Sequence, residues 1–178
     1  MKKIDVTIKG LCPLLHNRFP TEEHGQSTSK AKKKVYDPNV EAEKRLYKDE
    51  KGQIYQPAEH IFQAMVKAST RFKFEGKRSY KDLIYSGIAI EPECIPLNKK
   101  KWDEIDTRAV VIQRARVVTW RPKFNDWKVS FKVVIYDDEN ISVPIIKDIL
   151  DAAGKYVGIG DYRPRFGRFM LTEFKEVS

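Results

Sequence analysis

The sequence has little of what stapled or metal-bound folds use. Its two cysteines, Cys12 and Cys94, lie far apart and in no paired CxxC spacing. That excludes a disulfide framework and a thiolate zinc site, and points to a reducing compartment with both thiols as small core fillers. No apolar run is long enough for a signal peptide or a membrane span, so a cytoplasmic chain without a membrane partner is expected. Acidic residues are scarce beside basic ones: 25 Asp and Glu against 34 Lys and Arg leave a net charge of +9. Such an excess suits a polyanion, because each phosphate neutralised releases condensed counterions, although a solvated basic surface has the same composition. The acidic residues are scattered or grouped in Asp137-Asp138-Glu139, so no metal held by this chain alone and no cofactor are expected.

What is present is enough for a core. Hydrophobic residues make up 41% of the 178 positions and aromatics 11%, the scale of one domain, 1–178, with an elaboration. In residues 3–9, Ile4, Val6 and Ile8 alternate with Lys3, Asp5, Thr7 and Lys9, the period of a half-buried strand. Residues 20–45 are polar and charged, with Val35, Tyr36 and Val40 as the few apolar members, and read as an exposed, mobile insertion. The segment RLYKDEKGQIYQP closes it with a hairpin-like turn at Gly52.

Pro57 opens a helix with Ile61, Phe62, Met65, Ala68 and Ser69 on one stripe. The stretch YKDLIYSGIAIEPECIPL reads as a helical turn and then extended chain at an edge or in a crossover, broken by Pro92 and Pro96. Residues 108–120 and 127–136 are expected to be two long strands paired through a turn at RPKFND, with Trp127, Val129, Phe131, Val133 and Ile135 on one apolar face. Ser142 and Pro144 start a second helix with Ile146, Ile149, Leu150, Ala153 and Val157 inward. Phe169, Leu171 and Phe174 suggest a last strand of irregular spacing. The order is α+β, a ferredoxin-like or RRM-like βαββαβ with an antiparallel sheet backed by two helices.

If the long strands pair, alternation places Arg114, Arg116, Lys128 and Lys132 on one sheet face, suited to a phosphate backbone, with Trp120, Phe124 and Trp127 nearby for base stacking. The same lysines would also keep a surface strand soluble. In YVGIGDYRPRFGRF, residues 156–169, Gly158, Gly160 and Gly167 let backbone N–H groups approach an anion, while Arg163, Arg165 and Arg168 add charge. A helix C-cap and a tight turn would use the same glycines, and the Lys-Ser/Thr end of a P-loop is missing.

This loop resembles the C-terminal glycine-rich loop of the RAMP superfamily, hydrophobic-Gly-hydrophobic-Gly followed by a basic stretch and Gly-Arg-aromatic. YQPAEHIFQAMVKAS is similar to that family's aromatic-x-Pro-small opening of its first helix, although Ala58, Glu59 and Lys67 stand where Gly, Ser and Arg are frequent. Pro13 and Leu14 match the turn after the family's first strand. The resemblance implies a domain that binds single-stranded nucleic acid, RNA or single-stranded DNA, as a homo-oligomer or a subunit of a larger nucleoprotein complex such as a CRISPR effector backbone, with residues 20–45 as a thumb. It leaves open a virus-encoded relative, and an assembly or inhibitory protein that imitates a backbone subunit. It also leaves open an endoribonuclease, with His16 or His24 deprotonating a 2′-hydroxyl, or Asp37 acting with a divalent metal. Against these stand a turn role for the histidines and the turn that Asp37-Pro38 marks.

Overall fold

The computed structural model describes residues 1–19, 36–112 and 115–177. In chain order the elements are β1 (Lys2–Gly10), β2 (Leu14–Leu15), α1 (Pro38–Lys44), β3 (Tyr55–Pro57), α2 (Ala58–Ser69), β4 (Lys73–Glu75), β5 (Arg78–Ser79), α3 (Lys81–Gly87), β6 (Ile88–Glu91), β7 (Cys94–Pro96), β8 (Glu104–Ile112), β9 (Ala115–Phe124), β10 (Lys128–Ile135), α4 (Val143–Ala152) and β11 (Phe169–Val177). A π-helical turn, Ala153–Val157, continues α4.

The main sheet has the order β11-β1-β10-β6, and each neighbouring pair is antiparallel. Along the chain α2 lies between β1 and β6, and α4 between β10 and β11. The helices pack on one another, α2 also on β6 and α4 also on β11. Alternation decides the inward face: Ile4, Val6 and Ile8 of β1 meet Val129, Phe131, Val133 and Ile135 of β10, all buried in the core cluster with Ile61, Met65, Ile146 and Ile149. Each such side chain contributes about 1.5–3 kcal/mol relative to exposure, so this seam dominates the stability.

The irregular spacing of the last strand has a local cause. Thr7 of β1 is opposite Glu173 while Ile8 is opposite Leu171, so Thr172 is an extra residue, a β-bulge, and its hydroxyl donates to the Thr7 carbonyl at 3.2 Å. The turn at Gly52 also forms: Lys48 bridges Ile54, and the Asp49 carboxylate accepts from the N–H groups of Lys51 and Gln53.

Four expectations are corrected. Residues 108–120 are not one strand, because the chain reverses between Ile112 and Ala115, which face one another, and β9 pairs with β8 and β2 in a separate three-stranded sheet. β10 therefore pairs with β1 and β6, and the expected ribbon of β9 with β10 does not exist; the edge of the main sheet is β6, from the stretch read only as an edge or crossover. The end of the supposed mobile insertion is the helix α1, with Ala42 buried against the rest of the protein, while residues 20–35 lie outside the described part. Cys94 is exposed rather than a core filler, because β7 turns it outward, and Cys12 is half-buried.

Candidate nucleic-acid interface

The loop after α4 folds back on itself. Ile159 N–H donates to the Gly167 carbonyl at 3.0 Å, Gly167 N–H to Pro13 at 2.8 Å, Asp161 N–H to Leu15 at 2.9 Å and Gly158 N–H to Ala153 at 2.8 Å. Gly167 has φ +74°, and a Cβ there would collide with the Ile159 carbonyl oxygen, so the approach of the two arms requires glycine. The N–H groups of Gly158 and Gly167 thus bond protein acceptors; the N–H of Gly160 has none among the described residues. What the loop turns outward is charge: Arg163, Arg165 and Arg168 are all exposed and form no ion pair with a described residue.

Beneath the loop lies a polar relay that the sequence did not announce. Arg121 of β9 is buried, with Nε 2.6 Å from Asp161 Oδ2 and Nη1 3.7 Å from Asp106. Asp106 also holds Nε of Arg108 at 2.9 Å, and this contact raises the Arg108 pKa further. The Arg108 guanidinium stacks on the rings of Tyr162 and Phe166, 5.0 and 5.1 Å from their centroids. Two carboxylates and two guanidinium groups alternate in this partly dry layer as ion pairs, although neither Nε nor Nη1 of the buried Arg121 makes a well-directed hydrogen bond with a described residue. They tie the three-stranded sheet to the loop and fix the direction from which its arginines project.

On the other side of Asp161 a surface pocket of about 120 Å³ is lined by Asn17, Tyr47, His60, Gly160 and Asp161. Asn17 donates to Asp161 Oδ2 at 3.0 Å and accepts from Arg45 at 2.6 Å. Behind it runs His16 Nε2, 3.2 Å from Gln56 Oε1, and Gln56 Nε2, 2.7 Å from His60 Nδ1. Burial lowers the His16 pKa to about 3, a hydrogen bond to Gln56 opposing and His60 adding to the shift. Burial also lowers His60, with the Arg163 charge adding to it. Both rings are neutral at pH 7.

The remaining expected residues are placed as follows. His16 is fully buried between the rings of Tyr47 and Phe124 rather than at a surface turn, so it cannot reach a substrate hydroxyl; Leu14 and Leu15 beside it draw the segment inward. His24 lies outside the described residues. Asp37 caps α1, its Oδ1 accepting from Asn39 N–H at 2.8 Å with Pro38 in the first turn. Arg114 is outside the described residues, Arg116 is exposed on β9, and Lys128 and Lys132 are exposed on β10. The four therefore do not share a sheet face. Lys132 pairs with Asp5 at 3.7 Å and Lys3 with Glu91 at 3.8 Å, which makes the outward face of the main sheet mixed in sign.

Phe124 and Trp127 are buried, Trp127 donating to the Cys12 carbonyl at 2.9 Å, and Trp120 is half-buried near Tyr36. The hairpin aromatics serve the core before any base. Among the described residues no three His, Cys, Asp or Glu side chains are placed to hold a metal ion, and no helix is long and apolar enough to cross a membrane. Asp161, Asn17, Tyr47 and Arg121 were missed because no local spacing marks them; Asp161 stood inside the loop read as a binding motif, while Tyr47 and Arg121 stood in segments read only as turns.

No protein-family model matches the sequence, and no curated protein does. Solved structures do match. A chain in a cryo-EM structure of the Type III-B Cmr-beta bound to cognate target RNA superposes with a TM-score of 0.56 at 9% identity, over 99% of this chain and 61% of that one. The protein therefore has a mixed α+β fold shared with a chain of an RNA-bound Cmr structure, and at this identity the likeness is one of fold. It spans about three fifths of that chain's length.

Proposed function

We propose that the protein is a RAMP-type module that binds single-stranded RNA through its phosphate backbone, as one subunit of a nucleoprotein assembly. The observation that carries the reading is the loop: three exposed arginines with no ion-pair partner among the described residues, on a turn locked by its own backbone bonds, in a fold shared with a chain of an RNA-bound Cmr structure. The order β11-β1-β10-β6 with α2 and α4 in the crossovers supports a ferredoxin-like βαββαβ core across 1–178, in which β2–β5, α1, α3 and β7–β9 are elaborations. Arg163, Arg165 and Arg168 contact phosphates, and Gly158, Gly160 and Gly167 shape the turn that presents them. Arg116, Lys128 and Lys132 add long-range attraction within the +9 field rather than one cationic face.

Phosphate contacts carry no sequence information, so binding is indifferent to base order. The test is light-scattering size measurement of the protein alone, with a short single-stranded RNA and with an RNA of twice that length. The reading predicts complexes whose mass grows with the template. A protein that stays at its unliganded mass with both RNAs overturns it.

A further inference from the structure

The pocket beside Asp161 is built around two hydrogen-bonding atoms that no described residue uses. Asn17 and Arg121 both engage Oδ2 of Asp161, which leaves Oδ1 as an acceptor with no protein partner among the described residues, on a side chain that is 32% exposed. His60 supplies the complement. With His16 Nε2–H donating to Gln56 Oε1, the Gln56 amide must donate to His60 Nδ1, and the proton of a neutral His60 ring then sits on Nε2. The reverse polarity would bury the His16 Nδ1 proton without an acceptor, since that atom is sealed and unpartnered. The relay therefore holds His60 as a donor, and it lines the same pocket as an acceptor carboxylate.

A group that both donates and accepts at one atom is a hydroxyl or a water molecule, and among the groups a polynucleotide carries only a hydroxyl does so. The cavity, about 120 Å³, is far below the roughly 300 Å³ of sites that enclose a whole small ligand, so it admits a sugar edge and not a base with its ribose. Its rim is cationic: Arg163, two residues beyond Asp161, acts on His60, and the exposed Arg18 acts on Tyr47. A polynucleotide places a hydroxyl next to phosphates only when it is RNA.

We propose that the pocket of Asn17, Tyr47, His60, Gly160 and Asp161 receives a ribose 2′-hydroxyl, which donates to Asp161 and accepts from His60, so that the protein selects RNA over DNA. This rests on the backbone-binding reading above and adds the choice of sugar. The Asp161 carboxylate in the pocket disfavours a phosphate there, which assigns the phosphates to Arg163 and Arg18 at the rim.

The experiment is fluorescence anisotropy with three labelled strands of one sequence, RNA, DNA and 2′-O-methyl RNA, at one salt concentration, on the wild-type protein and on His60→Phe and Asp161→Asn. Two hydrogen bonds set an RNA-to-DNA affinity ratio of about ten. The ratio falls toward one in each variant, and 2′-O-methyl RNA, whose methyl group removes the donor and overfills the cavity, binds the wild type as weakly as DNA does. The 2′-O-methyl arm needs no substitution and stands even if a variant fails to fold. RNA and DNA binding equally tightly to the wild type, or a ratio unmoved in both folded variants, overturns the sugar pocket and leaves the backbone reading intact. Binding of none of the strands overturns both.

Discussion

Arg121 on β9 lies 2.6 Å from Asp161 in the glycine loop, and this contact joins the Asp161–Leu15 backbone bond and the Arg108 stacking in tying the three-stranded sheet to the loop that carries the exposed arginines. The Arg121 side chain is 7% exposed and Asp161 is 32% exposed, so the pair is anchored in the interior at one end and wetted at the other.

Removing the buried partner leaves Asp161 and Asp106 facing one another's vicinity without their shared cation. Arg121→Ala is expected to lower the stability by about 3–4 kcal/mol, the lower part of the range for broken buried pairs because one carboxylate reaches water. Urea unfolding followed by circular dichroism measures it. An unchanged midpoint would mean that the loop holds its place without the sheet.

The glycines of the loop and of the Gly52 turn separate strain from collision. Gly52 has φ +77° with open space around it, whereas Gly167 has φ +74° and the Ile159 carbonyl against its missing Cβ. Gly52→Ala is expected to cost about 1 kcal/mol from backbone strain alone, and Gly167→Ala clearly more, about 3 kcal/mol or above. Thermal melts of the two variants decide it; equal losses would show that the loop has room to open.

The pH dependence follows from His16. Its folded pKa of about 3 lies below the 6.5 of an exposed imidazole, so below about pH 6.5 the unfolded chain takes up a proton that the folded one does not. Stability is then fully present above that pH and falls as the solution is acidified, by at most about 1.4 kcal/mol per pH unit from this residue, with His60 acting in the same direction. His16→Leu leaves Gln56 short of a partner and costs about 1–3 kcal/mol at pH 7.5, yet flattens the slope between pH 6.5 and 5, before ordinary carboxylates titrate. Parallel stability curves for the two proteins would contradict a buried neutral His16.

The main sheet was legible where period and burial coincide. β1 and β10 alternate cleanly and are central, and α2 and α4 carry apolar stripes, so each appeared close to its observed place. The β8–β9 hairpin was not, because Val110, Val111, Val117 and Val118 flank Gln113-Arg114, a pair with none of the turn chemistry of Asn, Asp, Gly or Pro. Of the expected turn residues, Asn125-Asp126 do mark the passage from one sheet to the other, whereas Pro122 lies within β9 opposite Ile105. At the candidate site, the loop was legible as a motif with its three arginines. The pocket was not, since Asn17, Tyr47, His60 and Asp161 come from four separate segments and meet only after folding.

The central claim, that the loop arginines bind phosphates, is tested most directly by the salt dependence of RNA affinity, measured by fluorescence anisotropy on the wild type and on a variant with Arg163, Arg165 and Arg168 changed to Ala. Each phosphate contact on a single strand contributes about −0.7 to the slope of log K against log salt. The account predicts a steep negative slope for the wild type that becomes shallower by about 2 in the triple variant, with weaker binding throughout. Identical slopes and affinities for the two folded proteins would contradict it.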